Sequence, residues 1–324
     1  MEDTLVSLDD LEIRAARAEK ITWQGREALR LENGLALVPE GRLMDARVEV
    51  LVGAEGPAYP GVAFRVGDVA NFELAYAVPH VSGSWDALQY DPVFRGSNTW
   101  QLHHGPGYQK EAQVPTGRWF RLQVACCGGR AVVAVDEQPP LVVGRLAHPA
   151  AAGWFGVWTF RPAYFADLRV SACDELPMRD EPQPTLAEGI VQSWFVEGYG
   201  VVACEPNGLV NLNRYLPTSL DKARLVRRFE TSEVGEVTFE FGFSDVLMLE
   251  LDGQVIYAGE NTFGGFADRR ARGYVELGMA SARKELGAGN HYLAAELTVT
   301  EGFGWGLALA ARGGGLRWSP AGLG

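Results

Sequence analysis

The stretch from Gly61 to Lys110, GVAFRVGDVANFELAYAVPHVSGSWDALQYDPVFRGSNTWQLHHGPGYQK, constrains the fold of this chain more than any other. Its apolar residues recur at every second position, the period of a β-strand. Val62, Phe64 and Val66 share one side, as do Phe72, Leu74 and Tyr76, then Leu88 and Tyr90, then Trp100 and Leu102. The opposite sides carry Arg65, Glu73, Gln89, Gln101 and His103. If these strands are neighbours, the five form one polar, hydrogen-bonding surface, and the stretch predicts a β-sandwich with a decorated face.

At 324 residues the chain exceeds what one core usually supports, so two domains are expected. Hydrophobic residues make up 47% and charged residues 22%, which excludes a largely disordered chain. The formal charge of −12 argues against a nucleic-acid partner or an anionic membrane surface, both of which call for basic patches. A neutral or cationic small-molecule or oligosaccharide ligand fits better. The N-terminus, MEDTLVSLDDLEIRAARAEK, is acidic where a signal peptide is basic, and no apolar run approaches membrane-spanning length. The chain as written is expected to be cytoplasmic, or secreted if a signal peptide has been removed. Cys126, Cys127, Cys173 and Cys204 show no metal-type spacing and read as small buried hydrophobes in a reducing compartment.

Between Cys173 and Thr185 the sequence CDELPMRDEPQPT loses periodicity and carries three prolines, so a linker is expected there. It separates a domain of residues 1–176 from one of 185–324. Strands are expected in the first domain at Trp119–Cys126, Arg130–Asp136, Gly153–Thr159 and Tyr164–Ser171, with Cys127-Gly128-Gly129 as a hairpin turn. Leu8 to Lys20 suits either a helical stripe or a strand. In the second domain Leu186–Trp194, Glu236–Gly242, Val246–Leu251, Val255–Tyr257, Tyr292–Glu301 and Trp305–Ala311 read as strands. Asp252-Gly253 is a two-residue hairpin signal.

The order FRVGDVANFELAYAVPH, DALQYDP, GRWFRLQV, AVVAVDEQP, GWFGVWT and YFADLRVS resembles the concanavalin A-like lectin/glucanase superfamily, within it the 3-keto-disaccharide hydrolase-like group, over roughly residues 20–172. The resemblance implies two antiparallel sheets face to face, the concave one often binding carbohydrate. It also implies that Arg65, Glu73 and Gln89 lie on that concave sheet. FSDVLMLELDGQVIYAGENTF with the later GNHYLAAELTVTEGFGWGLALAAR is similar to galactose-binding-like jelly rolls, in which the hairpin usually reads Leu-Asn-Gly where this chain has Asp252.

The Glu-x-Asp-x-x-Glu signature of retaining glucanases is missing, as are the Gly-x-Ser-x-Gly elbow, the Walker loop and the His-Glu-x-x-His helix. Glu73 and His103 are the one acid/base pair that a glycoside hydrolase or lyase reading can name. Arg65, Gln89 and Gln101 offer hydroxyl-binding groups. Trp85 and Tyr108, in glycine-containing loops, offer stacking faces for sugar rings. Trp100 and Tyr90 fall in the apolar register and read as core, as does Trp305. Asp86 and Asp91 flank one strand and suggest a Ca²⁺ position, but two carboxylates do not make a hard-cation site, and no metal or other cofactor is assigned. The sequence therefore predicts an all-β protein of two β-sandwich (jelly-roll) domains that recognises a carbohydrate or glycoside on the concave face of the first. The alternatives are a glycoside-cleaving enzyme using Glu73 and His103, and a non-catalytic interaction or scaffold protein.

Overall fold

A computed structural model of the chain describes residues 4–176, 186–265 and 268–322. It is all-β: among the described residues there is no α-helix, and three short 3₁₀ turns interrupt the strands. The chain forms two compact units, Met1–Gly96 with His103–Glu181, and Ser97–Leu102 with Pro182–Gly324. Most of the expected linker, residues 177–185, lies outside the described residues.

The first unit is one antiparallel ribbon folded into two leaves. Its front leaf runs in the order Gln109–Lys110, Leu88–Tyr90, Asn71–Ala77, Pro60–Asp68, Trp154–Thr159. The back leaf runs Ala163–Ala172, Ala46–Gly53, Phe120–Cys127, Arg130–Val135, Leu141–Val143. Arg26–Leu37 joins them, because its Gly34–Leu37 end pairs with the front leaf while Leu29–Leu31 pair with Ala163–Phe165 of the back leaf. The segment that suited either helix or strand is an extended strand, Glu12–Trp23, on the far edge of Arg26–Leu37. Between the leaves lies the main core, with Val48, Val50, Leu122, Val124 and Val133 from behind and Val62, Phe64, Ala75, Tyr90 and Val157 from the front. A second cluster, including Leu35, Ala63, Leu74 and Tyr76, covers the opposite face of the front leaf.

The second unit packs a sheet ordered Gly200–Ala203, Ser193–Val196, Lys222–Thr231, Gly289–Thr298, Val246–Leu251, Gln254–Glu260 with one ordered Leu209–Asn211, Gly306–Arg312, Gly235–Ser244, Ala280–Leu286. Trp194, Phe229, Phe239, Phe241 and Trp305 fill its core. The Asp252-Gly253 hairpin has φ of 50° and 79° at its two turn residues, the geometry that favours this dipeptide. The strand expected at Leu186–Trp194 begins only at Ser193. Trp100 to His103, expected as a strand, is turn and irregular backbone. Gln101 is fully buried within the second unit, donating to Arg272 O and Glu301 Oε2 at 3.1 Å each and accepting from Ser244 Oγ at 3.1 Å.

Candidate ligand-binding face

Cross-strand partners in a sheet share a face, so the register of the front leaf decides which side chains can meet. Gln109 pairs with Gln89, Gln89 with Tyr76, Tyr76 with Gly61, and Gly61 with Trp158. These positions form one row across the sheet on the face turned away from the main core. Gly61 is required there: a Cβ would lie 2.5 Å from Ala75 O and 2.7 Å from Tyr76 Cβ. With no side chain between them, the rings of Tyr76 and Trp158 approach to 5.8 Å.

The polar half of the row is tightly organised. Gln109 Nε2 donates to Gln89 Oε1 at 3.4 Å, and Gln89 Nε2 donates to Asp86 O at 2.9 Å. Tyr76 OH lies 3.2 Å from Gln89 Oε1 and 3.4 Å from Asp91 Oδ2. The aromatic half is more open. Tyr59 and Trp158 are half-buried, while His80 and Phe160 are exposed. Tyr59 lies edge-on to His80 at 5.1 Å, to Phe160 at 5.9 Å and to Tyr76 at 6.1 Å. Partial desolvation of its ring, with help from the nearby Arg161, holds His80 below the ordinary histidine value. It is therefore neutral near pH 7, with one ring nitrogen to donate and one to accept.

The five-residue polar face expected from the sequence is not one surface. Glu73 lies on the inner face of its strand, because Ala75 pairs with Tyr90 and both belong to the main core. Its carboxylate is fully buried, accepting from Tyr90 OH at 2.6 Å and from His148 N at 2.9 Å. Burial raises its pKa above 4.5, against the opposing effects of these hydrogen bonds and of Arg65 and His103. His103 is close enough to act on Glu73 electrostatically, but it is also buried, its ring 5.3 Å from Tyr108 and 6.4 Å from Phe94. Arg65 sits where the register of its strand shifts, with φ of 49°, and its guanidinium donates to Met44 O at 2.7 Å, Asp45 Oδ1 at 2.9 Å and Gly128 O. It ties the front leaf to the back leaf. Gln101 belongs to the second unit, as described above.

Of the remaining expected ligand groups, Tyr108 packs against the main core and stacks with Tyr90 at 6.0 Å. Trp85 is exposed in a turn. Asp86 is buried and accepts from Ser84 Oγ at 2.7 Å, while its backbone oxygen holds Gln89. Among the described residues no group of three or more His, Cys, Asp or Glu is arranged to hold a metal ion. Gln89 alone, of the five residues of the expected face, lies in the Gln109 to Trp158 row. Sequence reasoning missed Tyr59, Tyr76, Gln109, Trp158 and Phe160. The signal available for Trp158 was its alternation with Gly156 along one strand, two residues before the Phe160 that follows the strand's end.

No family model matches the chain, and no curated protein does. Among solved structures, a carbohydrate-binding module, CBM66 from Bacillus subtilis, is 17% identical over 48% of this chain and 92% of its own, with a TM-score of 0.35. A glycosyl hydrolase, so named only provisionally, from Parabacteroides distasonis is 11% identical over 47% and 83%, with a TM-score of 0.34. The Ca²⁺- and Man3GlcNAc-bound exoplasmic domain of VIP36 is 10% identical over 54% and 93%, also at 0.34. All three are partial likenesses of low score.

Proposed function

We propose that the first unit recognises a carbohydrate on the outer face of its front leaf, through the row Gln109, Gln89, Tyr76 and Trp158 with Tyr59 and His80 at its side. The observation that carries this reading is the register, which sets two amides and a phenol beside an indole on one face, across a glycine. Sugars present hydroxyls that both donate and accept and C–H faces that stack on aromatic rings. The row offers both in sequence, from the amide end to the indole end. A neutral ligand also suits a face whose accessible members carry no carboxylate. Glu73 and His103 do not extend the reading to glycoside cleavage, since Glu73 is fully enclosed and both its oxygens are engaged. A glycan array on the full chain, followed by calorimetry of any hit, tests the proposal. Trp158→Ala and Gln89→Ala are expected to weaken binding at least tenfold while Glu73→Gln leaves it unchanged. Binding that survives both outer-face substitutions would overturn it.

A further inference from the structure

Arg227 is a cation in the wrong place for a structural residue. Its strand, Lys222–Thr231, sends Ala223, Leu225 and Phe229 into the core of the second unit, and Arg227 falls in the same alternation, 8% exposed. It pairs with Leu293, which pairs with Leu251, both core residues. On its other side Phe195 pairs with Val226, which puts the fully buried Trp194 beside Arg227 at the next position of the two strands. The guanidinium thus stands in a row that is otherwise indole and leucine.

Among the described residues, two of the three guanidinium nitrogens of Arg227, Nε and Nη1, find no acceptor, and neither does Trp194 Nε1. The ionisable group that acts on Arg227 is the Cys204 thiol, which burial pushes up to about 12, so it is neutral at ordinary pH. Burial in turn holds Arg227 below the usual guanidinium range, the direction expected for a cation without a partner. A charge desolvated in this way is costly, and apolar replacement of such a group is commonly stabilising. The unanswered atoms at this place are all donors, and they point to a ligand made of acceptors. The N–H groups of a planar guanidinium and an indole suit an anion with more than one oxygen better than a halide.

We propose that Arg227 and the Trp194 indole N–H form a binding site for a small oxyanionic group, of the carboxylate or phosphate class, in the second unit. The site is independent of the carbohydrate face of the first unit. It is tested on the full chain by thermal melts in sodium acetate, phosphate and sulfate against sodium chloride at matched ionic strength, together with the assigned Trp194 indole N–H resonance. At least one oxyanion is expected to raise Tm saturably and to move that resonance with the same midpoint, acetate and phosphate distinguishing the two classes. Arg227→Met is expected to melt at or above the native temperature in chloride and to lose the oxyanion response, while Arg227→Lys keeps part of it. Equal melts in all four salts, a still Trp194 resonance, or an Arg227→Met variant that responds like the native chain would overturn the proposal. So would failure of Arg227→Met to fold, since the charge would then serve the fold itself.

Discussion

The Tyr76 hydroxyl lies 3.2 Å from the Gln89 amide oxygen on one face of the front leaf, while on the other face of the same strand Glu73 accepts from Tyr90 at 2.6 Å. Two polar systems three residues apart on one strand are therefore separated by the sheet. One is enclosed in the core and the other borders the aromatic face. They should respond to substitution in opposite ways.

Tyr76→Phe removes the hydroxyl that lies between Gln89 Oε1 and Asp91 Oδ2 and leaves the ring in place. The expected loss of stability is about 0.5–1.5 kcal/mol. Chemical denaturation checks it, and ligand affinity should fall with the same variant because the Gln89 oxygen loses the shorter of its two donors.

Glu73→Gln is expected to change the pH dependence of stability and not binding. The folded-state pKa of Glu73 is raised, chiefly by burial. Its favourable contribution is therefore fully present below the unfolded value of about 4.5 and is lost as pH rises through the higher folded value. Between these limits the native chain should lose stability with rising pH relative to Glu73→Gln. Urea melts of both proteins from pH 4 upward read the difference, and parallel curves would contradict the assignment.

His291 behaves in the same sense for another reason. Burial opposes its charge, but hydrogen bonds to Asp252 Oδ2 at 2.8 Å and to Gly287 O at 3.0 Å prevail and raise its pKa above 6.5. Stability from this pair is fully present below the unfolded value and lost as pH rises through the raised folded value. Asp252 is largely exposed, so the effect should be under about 1 kcal/mol. Melts of Asp252→Asn above pH 6 should show a flatter pH profile than the native chain, and NMR titration of His291 should show a lower midpoint in the variant.

The strand content was legible because alternation and hairpin residues are local properties. Val246–Leu251 with Asp252-Gly253 stands in the structure with the bounds its sequence implies. What alternation does not contain is which side of a strand faces which neighbour. In Phe72 to Ala77 the larger side chains, Phe72, Leu74 and Tyr76, suggested the core side. The core side instead holds Ala75 and Ala77, whose small size leaves room for Tyr90 from the adjacent strand. That inversion moved Glu73 inward and separated it from Gln89. The position of Gln101 was beyond local reading, because it depends on hydrogen bonds to residues more than 140 positions away.

Gln101→Ala should destabilise the second unit and not the first. Its side chain is fully buried with three partners, and truncation takes one hydrogen bond each from Arg272 O, Ser244 and Glu301. A loss of about 1–3 kcal/mol is expected. Hydrogen exchange resolves the two units, and the loss of protection should fall on Gly235–Ser244 and its neighbours. For the same reason a fragment of residues 186–324, lacking Ser97–Leu102, should melt below the second unit of the full chain.

The most direct measurement of the central claim is side-chain NMR of the full chain with a bound glycan. The Trp158 indole N–H and the Gln89 and Gln109 side-chain amides should shift together and saturate at one midpoint, and Trp158→Ala should weaken binding at least tenfold, about 1.4 kcal/mol or more. Shifts confined to the second unit, around Trp100 and Phe303, with these three signals unmoved, would contradict the account.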